Sequence, residues 1–533
     1  MTRYTLTVVD TTGIQDYIFG TNNLRQNVGA SYLIDCATRQ WAVEALPNPH
    51  NVLDLDGDPS FTDQAIEDGE LKAEVIYAGG GNIVILFAGR DLAVNFARRL
   101  TRQVLLEAPG LQIVLMHQDF DWQSQALGGE SGVGKRTMDS LAARKASRSQ
   151  SWPMLGLGVT AACTFTGLPA VGEDDEGRLI AAEVKAKTQV EPRAHERLKK
   201  LVQFPKEYQI PKDFDDFGRT KEESSYIAVT HTDGNGMGKR IQQLRDQYST
   251  PDKNREYIGS MRAFSLSVQR AALDALQSTM NKLVESVQVA DGKKIIGEVI
   301  ELQDSKLPFR PIVFGGDDLT FVCDGRLGLA LAAYYLEQFS STVLADGKPA
   351  HCRAGVAVVK THYPFARAYV LANDLCQSAK KYINQRQQPP FNEDGLTAMD
   401  WHFATSGLLF GAKETREKEY DVPNEGELLI RPVRLTSPAN DWRSWHTFRQ
   451  VVRAFQTSEQ WAERHNKVKA LREALRAGRD AVKHFRTVHN LDKLPSIPHQ
   501  PEMEIQGWQG DRCGYFDAIE AMDFFVPLAG EQR

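Results

Sequence analysis

The chain has 533 residues, with 63 Lys and Arg against 69 Asp and Glu for a net charge of −6, and 42% of its residues are hydrophobic. That length implies roughly three to four domains, each able to bury its own core. The charge argues against a globally basic nucleic-acid binder while leaving room for local basic patches. Six scattered cysteines with no CxxC pair make a disulfide framework or a four-cysteine zinc site a poor reading. No apolar run is long enough to span a membrane, and the Met-Thr-Arg start leading straight into a strand is no signal peptide, so a cytoplasmic protein without a membrane partner is expected.

The N-terminal third reads as a strand over Tyr4–Asp10, a helix over Asn23–Ala45 and a hairpin over Glu74–Phe87, followed by a helix over Asp91–Leu106 and a strand over Leu111–Gln118. The hairpin tip is Ala78-Gly79-Gly80-Gly81-Asn82. Gly81 and Asn82 offer no anionic oxygen, so this tip is not expected to hold a metal ion. From about Asp121 to Arg219 the pattern changes. Gly128–Lys135 has the glycine and lysine spacing of a phosphate-binding loop, but Arg136 stands in the Ser/Thr position and the preceding strand ends too early. It is read as a flexible glycine-rich linker. Pro192–Lys200, with Arg193, Arg197, Lys199 and Lys200, reads as a solvated helix face.

A second unit repeats the order of the first. Ser225–Thr230 is a buried strand that delivers Asp233 at its end, and Gly234-Asn235-Gly236 opens the next helix. A long helix follows over about Arg255–Val287, then two β-prone runs joined by Gly315-Gly316-Asp317-Asp318, a helix over Leu327–Val343, a strand over Cys352–Val359 and a helix over Phe365–Tyr382. The order is β-α-β-β-α-β, a ferredoxin-like split unit in which the first strand lies beside the third. That topology brings Asp233 and the Asp317-Asp318 tip to one edge.

Chemistry is concentrated there. Glycines without a Cβ let the backbone approach a triphosphate closely, and adjacent carboxylates are hard oxygen ligands for Mg²⁺. Three acids from neighbouring strand ends are what a two-metal phosphoryl-transfer site requires. Lys380, on the distal part of the last helix, can neutralise phosphate charge as a point cation.

The strand-Asp-Gly, the GGDD hairpin and the final helix with Ser378-Ala379-Lys380 resemble the active palm of the CRISPR polymerase family, the large subunits of type III RNA-guided effector complexes. His362–Tyr369 resembles that family's entry into the last helix, and Thr12–Phe19 its first-palm opening. The resemblance covers most of the chain and implies an α+β protein with two ferredoxin-like palm domains, the first degenerate. The implied domains are a first palm over 1–120, an inter-palm helical segment over 121–219, a GGDD palm over 220–395 and a mainly helical C-terminal domain over 396–533. The implied activity is a Mg²⁺- or Mn²⁺-dependent nucleotidyltransferase that joins ATP into cyclic oligoadenylates. Asp233 and Asp317 would be metal ligands with Asp318 assisting, and Gly315, Gly316, Gly234, Asn235, Gly236 and Lys380 would line the nucleotide. The family's first strand usually carries Asp-Gly-Asp, whereas this chain has Asp233-Gly234-Asn235. The family's frequent His-Asp nuclease has no counterpart, since the sequence contains no His-Asp dipeptide. Ala162–Pro169 resembles half of the inter-palm zinc knuckle, but Thr166 stands where a second cysteine would be, and one thiolate cannot make a structural zinc site.

After Pro390 the segments Trp401–Ala412 and Glu427–Val433 read as short and irregular, and Trp442–Phe455 and Thr457–Phe485 as two amphipathic helices. The second carries Arg464, Lys467, Lys469, Arg472, Arg476, Arg479, Lys483 and Arg486, a face suited to RNA phosphates or an acidic partner subunit. Three readings compete: a nucleotidyl cyclase, a non-catalytic nucleotide-binding scaffold of an RNA-guided complex, and a template-directed polymerase. The intact acids favour the first over the second, and no feature supports template binding.

Overall fold

The computed structural model describes residues 3–54, 59–147, 158–217, 225–297, 299–404, 411–435 and 441–530. Near-continuous apolar runs such as residues 227–229 and 356–359 generate central strands that are buried on both faces. In the first unit, β1 (Arg3–Thr12), α1 (Leu24–Thr38), β2 (Ala73–Gly79), β3 (Asn82–Phe87), α2 (Arg90–Glu107) and β4 (Gln112–Asp121) follow the expected order. They form an antiparallel sheet in the order β2-β3-β1-β4. The helix expected over Asn23–Ala45 ends at Arg39, whose φ of −125° and ψ of −82° leave helical space, and a short second helix covers Gln40–Glu44.

Two helices, α3 (Val133–Ser147) and α4 (Ala182–Leu201), lie between the units, and α4 packs along α1. The glycine-rich segment before α3 is not a flexible linker. Leu127, Gly128 and Gly129 are buried, and Gly129 donates its N–H to the Arg245 carbonyl at 2.9 Å. Asn254 fixes the same turn by accepting from the Leu127 N–H at 2.7 Å and donating to the Trp122 and Gln125 carbonyls. An added Cβ on Gly128 would meet the Tyr248 carbonyl oxygen at 2.4 Å, so glycine is required there by close packing rather than by mobility.

The second unit contains β5 (Tyr226–Gly234), α5 (Met237–Asp246), α6 (Asn254–Glu285), β6 (Phe309–Gly315), β7 (Asp318–Asp324), α7 (Gly328–Ser340), β8 (Cys352–Lys360) and α8 (Phe365–Arg386). Its sheet has the order β6-β7-β5-β8, extended by β9 (Ala398–Ala404), parallel to β8, and β10 (Val433–Arg434). The region around Trp401 is therefore a buried strand, not an irregular segment. Its acid is satisfied inside: Asp400 is fully buried and accepts two hydrogen bonds from Arg416 at 2.8 Å. Helix α8 lies directly on β8, where a Cβ at Gly355 would sit 2.0 Å from the Ala372 carbonyl oxygen.

The two units share a core and an ionic joint. Phe19 stacks on Tyr369 with centroids 3.8 Å apart, and Phe365 stacks on Phe214. Fully buried Glu74 on β2 accepts from Arg255 at 2.7 and 2.8 Å and from Arg262 at 2.9 Å, both on α6. The hairpin tips meet as well, since a Cβ on Gly316 would lie 3.5 Å from the Gly80 Cα.

Beyond the second sheet, α9 (Trp445–Thr457), α10 (His465–Arg476) and α11 (Arg479–Val488) pack with a small four-stranded sheet built from residues 421–427 and 508–513. The stretch expected as one helix over Thr457–Phe485 is broken at Gly478, whose φ is +98° and whose Cβ position is filled by the Glu425 side chain. Several of its bases are tied inward. Arg479 pairs with Glu425, Arg476 lies over the Phe516 ring at 5.2 Å, and Arg486 donates to the Ile505 carbonyl at 2.8 Å.

Candidate functional site

Two hairpins of the same kind carry different chemistry. In the first, Gly79 pairs with Asn82, and the turn residues Gly80 and Gly81 have φ of +61° and +80°. Both turn positions therefore require a left-handed backbone, which glycine supplies without strain. In the second, Gly315 pairs with Asp318 and only Gly316, at φ +66°, is left-handed. The next position is thereby open to a side chain, and Asp317 occupies it.

Strand β5 runs antiparallel to β7, with Thr232 opposite Leu319, so Asp233 arrives beside the tip. Carboxylate oxygens of Asp233, Asp317 and Asp318 all lie within 4.8 Å of one another. Gly234 makes this convergence possible: a Cβ there would stand 2.7 Å from both Cβ and Oδ2 of Asp317. Crowding by surrounding protein pushes the Asp317 carboxyl above its ordinary range, against the pull of its own N–H and that of Gly234. Asp318 is pushed up too, by the same crowding and then by the neighbouring Asp317 charge. Acids raised by crowding and mutual repulsion favour a bound cation, which would hold them ionised. An all-carboxylate donor set is the chemistry that hard divalent ions take, so the residues fit Mg²⁺ or Mn²⁺.

Asp233 and Asp317 border a cleft of about 880 Å³ whose other walls include Gly234, Asn235, Gly236, Lys239, His351 and Lys380. Lys380 is exposed on α8 and faces this space. Helix α5 begins at the cleft with Gly236 as its cap, at φ +69°, and no side chain caps its first N–H groups. Gly315 and Asp318 border a different, smaller cavity between the two units, together with Gly80, Gly81, Arg197 and Arg310. Of the nine expected site residues, six thus line the larger cleft and two the smaller cavity, while Gly316 lines neither.

Sequence reading missed Arg353 on β8. It stands directly opposite Asp233 in the β5–β8 ladder and is 2% exposed. Its guanidinium pairs with Asp233 and donates to the Gly234 carbonyl at 3.0 Å and to Asn235 Oδ1 at 2.7 Å. Asn235 in turn donates to the Leu396 carbonyl at 2.8 Å. In the first unit, Asp10 holds the place of Asp233, opposite Asn82 on β3 and Val114 on β4, and it pairs with Lys145 of α3. Among the described residues, Asp233, Asp317 and Asp318 form the one grouping of metal-ligand type. Cys163 is buried with Thr166 beside it, and among the described residues no other metal-ligating side chain groups with it.

No protein-family model matches the chain, and no curated protein matches it in sequence. Solved structures do. A Csm1–Csm4 cassette in complex with one ATP aligns with a TM-score of 0.54 at 12% identity, covering 98% of this chain and 70% of that one. The same cassette in complex with cA4 gives 0.52 at 14% identity, with the same coverage. Csm1 in T. onnurineus gives 0.52 at 11% identity, again covering 98% and 70%. No helix among the described residues is long and apolar enough to cross a membrane. At the level of fold, the resemblance read from the GGDD hairpin holds, and the chain has a Csm1-like fold.

Proposed function

We propose that this chain is a divalent-metal-dependent nucleotidyltransferase that joins ATP into cyclic oligoadenylates as the large subunit of an RNA-guided CRISPR effector complex. The observation that carries this reading is the convergence of Asp233, Asp317 and Asp318, the first two of them at the lip of a cleft large enough for a nucleoside triphosphate. The likeness to Csm1 structures crystallised with ATP and with cA4 supports it.

Asp233 and Asp317, with Asp318 assisting, would hold Mg²⁺ or Mn²⁺. When bound, the metal supplies activation of an attacking 3′-hydroxyl and neutralisation of charge on the α-phosphate and pyrophosphate. The chain's own residues do the positioning. Lys380 offers its ammonium to the triphosphate from the α8 wall. The uncapped start of α5, with Gly236 leading Met237, Gly238 and Lys239 along the cleft, presents N–H donors suited to phosphate oxygens. Gly315 and Gly316 keep the hairpin backbone open to a phosphate approaching the tip. The first unit, which has Gly81 and Asn82 in place of the two acids, contributes shape and contact rather than metal ligands. Exposed bases on α10 and α11, Lys469 and Lys483 among them, remain the candidate contact for RNA or an acidic partner subunit.

The test is incubation of purified protein with each of the four nucleoside triphosphates and Mg²⁺ or Mn²⁺, with products identified by mass spectrometry. Cyclic oligoadenylates from ATP are expected. Absence of any phosphodiester product, alone or with the RNA-bound partner complex added, contradicts the reading.

A further inference from the structure

We propose that Arg353 is a positioning residue that competes with metal for Asp233, so that the resting site takes one divalent cation rather than two. The inference rests on the metal-site reading above and concerns how that site is loaded. Two oxygens that a second cation would need are already engaged. Arg353 Nη2 pairs with the Asp233 carboxylate, and Arg353 Nη1 donates to the Gly234 carbonyl at 3.0 Å.

The contact is built into the sheet, not made by a wandering surface arginine. Arg353 is the direct cross-strand partner of Asp233 and is 2% exposed, and its Nε has no hydrogen-bond partner. A buried guanidinium has nowhere to take its charge except a nearby carboxylate. Asn235 completes the fork by accepting at 2.7 Å, held in place by its own bond to the Leu396 carbonyl. An amide at this position binds Arg353 without neutralising it, so the positive charge stays on Asp233. Three carboxylates less one guanidinium leave two negative charges, the charge of one divalent ion. The first unit handles its equivalent acid the same way with a different element, since Val114 replaces the arginine and Lys145 pairs with Asp10.

The test is Mn²⁺ binding to the full-length protein without nucleotide, counted by electron paramagnetic resonance and titrated by calorimetry. Wild type should bind one Mn²⁺ per chain. Arg353→Met, which keeps the apolar volume, should bind two while melting as a folded protein. Asn235→Asp gives Arg353 a carboxylate of its own and frees Asp233, so Mn²⁺ affinity should rise about tenfold from one added nearby charge. This second variant carries the test if Arg353→Met does not fold. Two Mn²⁺ bound by wild type, loss of Mn²⁺ from folded Arg353→Met, or unchanged affinity in Asn235→Asp would each overturn the inference while leaving the metal site standing. No Mn²⁺ bound by any of the three would remove the metal site and the inference together.

Discussion

Gly234→Ala isolates geometry from charge, because it alters no ligand and needs no unusual backbone. The added Cβ would stand 2.7 Å from Asp317 Cβ and Oδ2 and 2.9 Å from Met237 Cε. Met237 can swing its flexible end away, but the Asp317 Cβ is fixed to the hairpin backbone. Ordinary contact begins near 3.4 Å, so Asp317 must retreat by about 0.7 Å, close to the ~1 Å misplacement that can lower turnover about 100-fold, or ~2.7 kcal/mol of transition-state stabilisation. Gly315→Ala is the matched control: nothing lies within 4 Å of its added Cβ. Initial rates of product formation from ATP and Mn²⁺ affinity would be measured for both. Gly234→Ala should lose both rate and metal affinity. Gly315→Ala should keep its metal affinity and weaken ATP binding alone, as expected where a triphosphate passes close to that backbone. A wild-type rate and wild-type Mn²⁺ affinity in Gly234→Ala would refute the argument that close approach of β5 to the hairpin builds the site.

Glu74→Gln should destabilise the joint between the units by about 3 kcal/mol in chemical denaturation, because a buried acid serving two arginines is lost. Burial alone would raise the Glu74 carboxyl, but the hydrogen bonds and charges of Arg255 and Arg262 outweigh it and hold the group below its ordinary range. Its stabilisation is therefore complete above the unfolded-state value of about 4.3 and fades as the pH falls below it, a loss that acid titration of the variant should not show. Asn82→Ala should leave Mn²⁺ binding unchanged in calorimetry, since the first hairpin supplies no carboxylate. The companion change at Gly81 is a poorer probe, because φ is +80° and a Cβ would meet Thr11 Oγ1 at 2.6 Å. Arg479→Glu should lower the thermal midpoint through repulsion from Glu425, whereas Lys469→Glu, on an exposed face, should spare stability and reduce partner-stimulated activity.

Much of the architecture was legible because strands and helices alternate with clear periodicity and the Gly-Asp tip marks its hairpin. Both β-α-β-β-α-β units follow from that pattern, and the first-beside-third strand rule places Asp233 at the hairpin. Cross-strand register is not written locally, so Arg353 was invisible: nothing in Cys352-Arg353-Ala354 announces that Asp233 lies opposite. The strand at 398–404 is obscured by Asp400 and His402, polar types that interrupt its apolar run, and what lets Asp400 be buried is Arg416, which lies beside it only in the fold. Gly128 looked mobile because its reason for being glycine, the Tyr248 carbonyl, lies 120 residues away in sequence. The break at Gly478 was readable, as a glycine within an otherwise helical pattern, and the run of basic residues concealed it.

The central claim is that Asp317 and Asp318 carry metal-dependent nucleotide chemistry. Its most direct test compares wild type with the Asp317→Ala, Asp318→Ala double variant, each given ATP and Mn²⁺ with any required partner complex, and quantifies cyclic oligoadenylates by mass spectrometry. Neither acid belongs to the buried core, so the variant should fold like wild type while losing product altogether. Equal product yield from a folded double variant would contradict the account.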